Sequence, residues 1–126
     1  MPLVTLTLRE ARTADFKTAV LDAIHAALVQ SGVPVADRFQ RVLTLAPEDA
    51  RIDPDYPDLA RPRTSGSLLI EILWSVGRSV KVKRALLADL MARLGALGID
   101  AEEVMVVMIE TAWENWSFGG GRQIHA

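Results

Sequence analysis

Pro2 follows the initiator methionine directly in MPLVTLTL, and two readings of it are open. A proline at this place starts an edge strand at no cost, because the first residue of such a strand need not donate to a ladder. Alternatively, a methionine followed by a small residue is normally removed, and Pro2 then becomes a free secondary amine, a base that no side chain supplies. An α-amino group titrates near 7.7 to 8.0, and an apolar pocket disfavours its charged form, so a buried amine can move protons near neutral pH. Arg78 is the second residue able to do chemistry. It stands between a predicted strand and a predicted helix, where a guanidinium and nearby backbone N–H groups can hold a carboxylate bidentately.

Composition removes several other chemistries. Among 126 residues there is no cysteine and only two histidines, His25 and His125, far apart in sequence, which speaks against disulfides, iron–sulfur clusters and a metal centre. The net charge of −2, with Lys and Arg spread along the chain, gives no footprint for nucleic acid or an anionic membrane. Half the residues are apolar, enough for one domain with a real core. No apolar run approaches the roughly 20 residues that span a bilayer, so a cytoplasmic protein is expected.

The elements that must position these residues occur twice. LVTLTL at 3–8 has the alternation of a strand with one buried face. Phe16, Ala19, Val20, Ala23, Ile24, Ala27 and Leu28 then have the spacing of an amphipathic helix, capped by Thr13 and stopped near Gly32, and FQRVLTL at 39–45 reads as a second strand. A loop rich in Pro, Asp and Gly spans 46–66, with a turn expected around Pro54-Asp55. The second half repeats the course: strand 67–74, helix from about Ser79 to Leu97, strand 104–110. Arg12 and Arg78, Thr13 and Ser79, Lys17 and Lys83, and Gly32 and Gly98 all share the same offset, the mark of an internal duplication.

The expected fold is therefore α/β (α+β): two β-α-β units, at about 2–45 and 67–111, with a C-terminal segment 112–126, in one domain covering 1–126. Parallel strands within each unit form a four-stranded, mainly parallel-paired sheet with both helices on one face. The other face is apolar as well and needs cover, from a second chain or from the loop and tail.

Together these pieces resemble the tautomerase superfamily, and most closely its malonate semialdehyde decarboxylase-like branch. The resemblance is carried by the initial Met-Pro, by GVPVADRFQRV, by GRS at 77–79 and by ENWSFGGG at 114–121. It implies a cofactor-independent, metal-free enzyme, commonly a homotrimer, that acts on a small carboxylate through an amino-terminal proline. It implies catalytic roles for Pro2, Asp37 and Arg78, with Arg78 also binding the substrate acid. Trp116 and Phe118 are implied as an apolar wall, whereas Trp113 is expected in core or trimer packing. Arg12, the duplicate of Arg78, and His25, which a related dehalogenase matches in a comparable part of the helix, are weaker candidates for substrate binding. Asp37 has a plainer alternative, an exposed turn carboxylate paired with Arg38. Tyr56 is a residue of the long loop that could close over the site.

One departure bears on the reaction. The branch carries two arginines near the end of the third strand, and the earlier position here reads Ser75. Losing a charge that would hold or polarise a 3-oxo acid disfavours decarboxylation. The expected activity is keto–enol tautomerisation of a 2-oxo acid such as phenylpyruvate. The alternatives are a decarboxylase, or a hydratase or dehalogenase, of a short 3-oxo or unsaturated acid, and a trimeric scaffold with vestigial activity.

Overall fold

The computed structural model describes residues 1–126. Its elements, in chain order, are β1 (Leu3–Leu8), α1 (Ala14–Gln30), β2 (Phe39–Thr44), β3 (Leu68–Ser75), α2 (Val80–Ala96) and β4 (Val104–Thr111), with short 3-10 turns at Pro47–Asp49, Ala101–Glu103 and Trp113–Asn115. Both helices begin and end where the duplication predicts. Thr13 Oγ1 accepts from the Phe16 N–H at 3.1 Å and Ser79 Oγ from the Val82 N–H at 3.2 Å, each satisfying a donor that the first helical turn leaves free. Gly32 and Gly98 terminate them at φ 112° and 83°, a region that side chains with a Cβ rarely enter.

The strands lie in the order β2-β1-β3-β4. Each unit contributes a parallel pair, β1 with β2 and β3 with β4, and the units join through antiparallel β1 and β3. In that junction Leu3 faces Leu73 and Thr7 faces Leu69, so moving each residue to its duplicate turns the first pair into the second. A local two-fold axis therefore relates the halves, and it sends Arg12 and Arg78 to opposite ends of the sheet.

The period-2 alternation of the strands decides which side chains meet the helices. Val4, Leu6 and Leu8 of β1 and Leu68, Ile70, Ile72 and Trp74 of β3 face Val20, Ile24 and Leu28 of α1 and Leu86, Leu90 and Leu94 of α2 in one buried cluster. Full burial of such a side chain stabilises the fold by roughly 1.5–3 kcal/mol. Phe39, Leu43, Val107 and Ile109, on the opposite face, stay 40–45 % exposed.

The long loop is ordered by its own polar contacts. Asp53 accepts from the Asp55 and Tyr56 N–H groups, forming the turn near Pro54-Asp55, and Arg63 Nη1 donates to the Asp53 and Tyr56 carbonyls at 2.6 and 2.8 Å. Arg61 grips Asp100 through two bonds of 2.8 Å. Leu45, Ala50 and Ile52 close a cavity of about 60 Å³ over Thr7, Leu69 and Met105, so the loop covers only one end of the outer face. No helix is long and apolar enough to cross a membrane.

Candidate active site

Continuing the strand registers past Leu3 brings Asp37, Met1, Ser75 and Thr111 into one row at the end of the sheet away from that loop. The row is closed by contacts: the Met1 amino group donates to Asp37 Oδ2 at one side, and the Val76 N–H donates to the Thr111 carbonyl at 2.9 Å on the other. Met1 itself is only 6 % exposed. Removal of Met1 would make the Pro2 nitrogen the terminal amine, one residue further in.

The electrostatics at this end favour a neutral amine. Burial, and secondly the charge of Arg78, pull its pKa from 8.0 to about 6. Asp37, accepting from the ammonium, works in the other direction. Arg78 lies over the Trp74 ring, its Cζ 4.1 Å from the centroid, and donates from Nη1 to the Ser75 carbonyl at 2.6 Å. Burial lowers its pKa, and Glu110 opposes that. Glu110 is itself held by Lys83 on the first turn of α2. Arg78 makes no ion pair within 4 Å, so most of its donors are free for a carboxylate.

The C-terminal segment builds an apolar wall between the two edge strands. Trp116 Nε1 donates to Thr111 Oγ1 at 2.6 Å, which in turn donates to the Trp74 carbonyl at 3.3 Å. Trp116 stacks on Phe118 at 5.8 Å, and Phe118 meets Phe39 of β2 at 5.5 Å. His125 packs edge-on against both Trp113 and Phe118.

The fold thus brings Pro2, Asp37, Arg78, Trp116 and Phe118 to one end. Asp37 is not paired with Arg38, which bonds Asp22 and Gln40 instead. His25, a weak candidate for substrate binding that is not among the apolar stripe residues of α1, is buried, and its Nε2 bonds the Val35 carbonyl at 2.8 Å, tying down the segment that carries Asp37. Arg12 is at the far end, stacked on Phe16 at 3.7 Å and facing Glu10. Tyr56 lies there too, exposed in the long loop, away from the amine. Trp113 is not core within the chain, being 41 % exposed. Sequence reasoning gave no role to Phe39, Thr111, Lys83 or Glu110; only the register across the sheet reveals that they meet here.

Residues 37–119 match the family model described as Tautomerase enzyme. The probable tautomerase YusQ of Bacillus subtilis (strain 168) is 29 % identical over 124 residues, covering 97 % of this chain and 96 % of that one. A malonate semialdehyde decarboxylase, whose structures are presented as a basis for decarboxylase and hydratase activities, is 30 % identical with a TM-score of 0.87 over 96 % of this chain and 93 % of its own. The Q0 fused 4-OT symmetric trimer is 25 % identical with a TM-score of 0.73, covering 98 % and 97 % of the two chains. The chain belongs to the tautomerase superfamily, in its malonate semialdehyde decarboxylase-like branch.

Proposed function

We propose that the protein, once Met1 is removed, uses the Pro2 nitrogen to interconvert the enol and keto forms of a small 2-oxo carboxylic acid such as phenylpyruvate. The observation that carries this reading is the amino terminus at Met1, buried beside Asp37 and Arg78 with its pKa drawn to about 6, surroundings that also favour a neutral amine at Pro2, one residue further in. Arg78 holds the substrate carboxylate. The enol O–H gives its proton to nitrogen, the oxygen becomes a carbonyl, and the ammonium delivers a proton to the neighbouring carbon, which restores the amine. Trp116 and Phe118 flank the substrate's side chain and keep water from the nitrogen. The half-exposed apolar strip on the outer face supports assembly into a homotrimer, the state of the fused 4-OT relative.

Asp37 supports a second reading. A carboxylate that keeps the amine protonated suits decarboxylation or hydration of a short 3-oxo or unsaturated acid, the activities attached to the decarboxylase relative. Ser75, where that branch carries an arginine, weighs against it. The deciding experiment measures the mass of the purified protein and its rate of phenylpyruvate ketonisation before and after Pro2→Ala. Loss of the methionine mass, with activity that collapses in the variant, supports Pro2 as proton carrier; retained methionine or an indifferent variant refutes it. A product one carbon shorter from a 3-oxo acid favours the second reading.

A further inference from the structure

We propose that the Ser75 hydroxyl donates a hydrogen bond to the oxo oxygen of the substrate and so selects 2-oxo acids at this site. The assignment rests on the Pro2 reading above. Ser75 is fully buried and its Oγ has no partner. Most buried polar atoms in folded proteins are paired, and leaving one unpaired costs roughly 1–3 kcal/mol. On the other side of Met1 in the same row, Asp37 Oδ1 is also buried without a partner. Two unsatisfied groups thus flank the one residue that processing removes.

Excision of Met1 empties the space between them. The freed Pro2 nitrogen borders the vacated space. Residues paired across a sheet share a face, and the register sets Ser75 opposite Met1. The duplicated unit gives independent evidence of where a side chain at this position points. Arg9 is the counterpart of Ser75 and Ser67 the counterpart of Met1, and there Arg9 Nη1 donates to Ser67 Oγ at 2.9 Å. The side chain at position 75 is therefore directed at the place Met1 occupies.

The other candidates for this donor are engaged or turned away. The Thr111 hydroxyl serves the Trp74 carbonyl and Trp116. Trp74 Nε1 is unpartnered too, but its ring is buried in the helix-facing core, with Arg78 stacked on it. A 2-oxo acid presents its carboxylate and its oxo oxygen on adjacent carbons, so the cation and the donor must come from neighbouring places. Arg78 meets that requirement, because its guanidinium is bonded to the carbonyl of Ser75 itself. A neutral hydroxyl strengthens its bond as the oxygen gathers charge in the enolate, yet offers no charge to a second carboxylate.

The test compares wild type, Ser75→Ala, Ser75→Thr and Pro2→Ala in phenylpyruvate ketonisation. Oxamate and propionate serve as competitive inhibitors, and thermal melting is followed on the same samples. Wild type is expected to bind oxamate more tightly than propionate, and Ser75→Ala to lower kcat/KM by about 10- to 100-fold, to erase that preference, and to leave Tm unchanged or higher. Ser75→Thr restores part of the rate. Ser75→Ala activity within threefold of wild type, or an oxamate preference that persists, overturns the proposal while Pro2→Ala still collapses. A lowered Tm with both inhibitors weakened equally assigns Ser75 to structure instead. Activity that survives Pro2→Ala overturns the Pro2 reading, and the proposal with it.

Discussion

Replacing Arg78 by Met separates the charge of this residue from its bulk. Methionine keeps an aliphatic side chain over the Trp74 ring, where the guanidinium now lies at 4.1 Å, and removes the cation. Burial first and Arg78 second lower the pKa of the Met1 amine from 8.0 to about 6. The same two causes in the same order at the Pro2 amine predict that Arg78→Met raises its pKa, though by less than full exposure to water would. On the proposed mechanism the catalytic form is the neutral amine, so activity rises with pH through its pKa and is lost below it; the variant's acid limb moves to higher pH. Below that limb a smaller fraction of the variant is neutral than of the wild type at the same pH. Losing the charged grip on the carboxylate, worth about 1.5–3 kcal/mol, raises KM by roughly 10- to 150-fold. The assay is kcat/KM for phenylpyruvate enol from about pH 5 to 9, alongside a 15N NMR titration of the proline-labelled protein without substrate. A Pro2 amine that titrates like a fully exposed α-amine in the variant would refute burial as the larger cause. An acid limb and a KM that both stay unchanged would remove Arg78 from the site altogether.

Three further perturbations probe the frame around the amine. His25→Phe deletes the 2.8 Å bond to the Val35 carbonyl and should cost about 1–2 kcal/mol in urea unfolding, with activity reduced because the Asp37 segment loosens. Leu94→Ala opens the fully buried core beneath the sheet and should cost roughly 2–5 kcal/mol by the same measure; a loss under 1 kcal/mol would contradict the burial described. Phe118→Ala breaks the arc from Trp116 to Phe39 and lets water reach the terminus, so its pH–rate profile should show an acid limb displaced upward, the same sign as Arg78→Met but without the large rise in KM.

Local chemistry made much of this fold readable from sequence. The Thr13 and Ser79 caps, the Gly32 and Gly98 stops and the alternation in LVTLTL are decided within a few residues of chain, and the structure places them as expected. The way the two units join was not local, because antiparallel pairing of β1 with β3 depends on which strand edges remain free once each unit has closed. The same reason hid the role of Ser75, which in sequence registered only as a missing arginine. Its position opposite Met1 follows from the β1–β3 register. The stripe on α1 misplaced His25 because helical spacing describes packing against the sheet, whereas this imidazole is covered by the segment after α1.

The local two-fold axis also defines an asymmetry of stoichiometry. Leu68 occupies the place of Pro2, but its nitrogen is acylated by Ser67, and an amide nitrogen is not a base. Glu103 occupies the place of Asp37, and its carboxylate is occupied by the N–H and hydroxyl of Thr64. The two units thus present two matching ends but a single terminal amine, and several groups around the second are engaged. At the Pro2 end, Ser75 Oγ and Asp37 Oδ1 stay unsatisfied about Met1. At the other, the homologous positions are joined to one another: Arg9 to Ser67, Arg12 against Phe16 and Glu10, Glu103 to Thr64. One end of the symmetric sheet is closed by its own polar contacts, while the other keeps unpaired groups around the chain's single amino terminus.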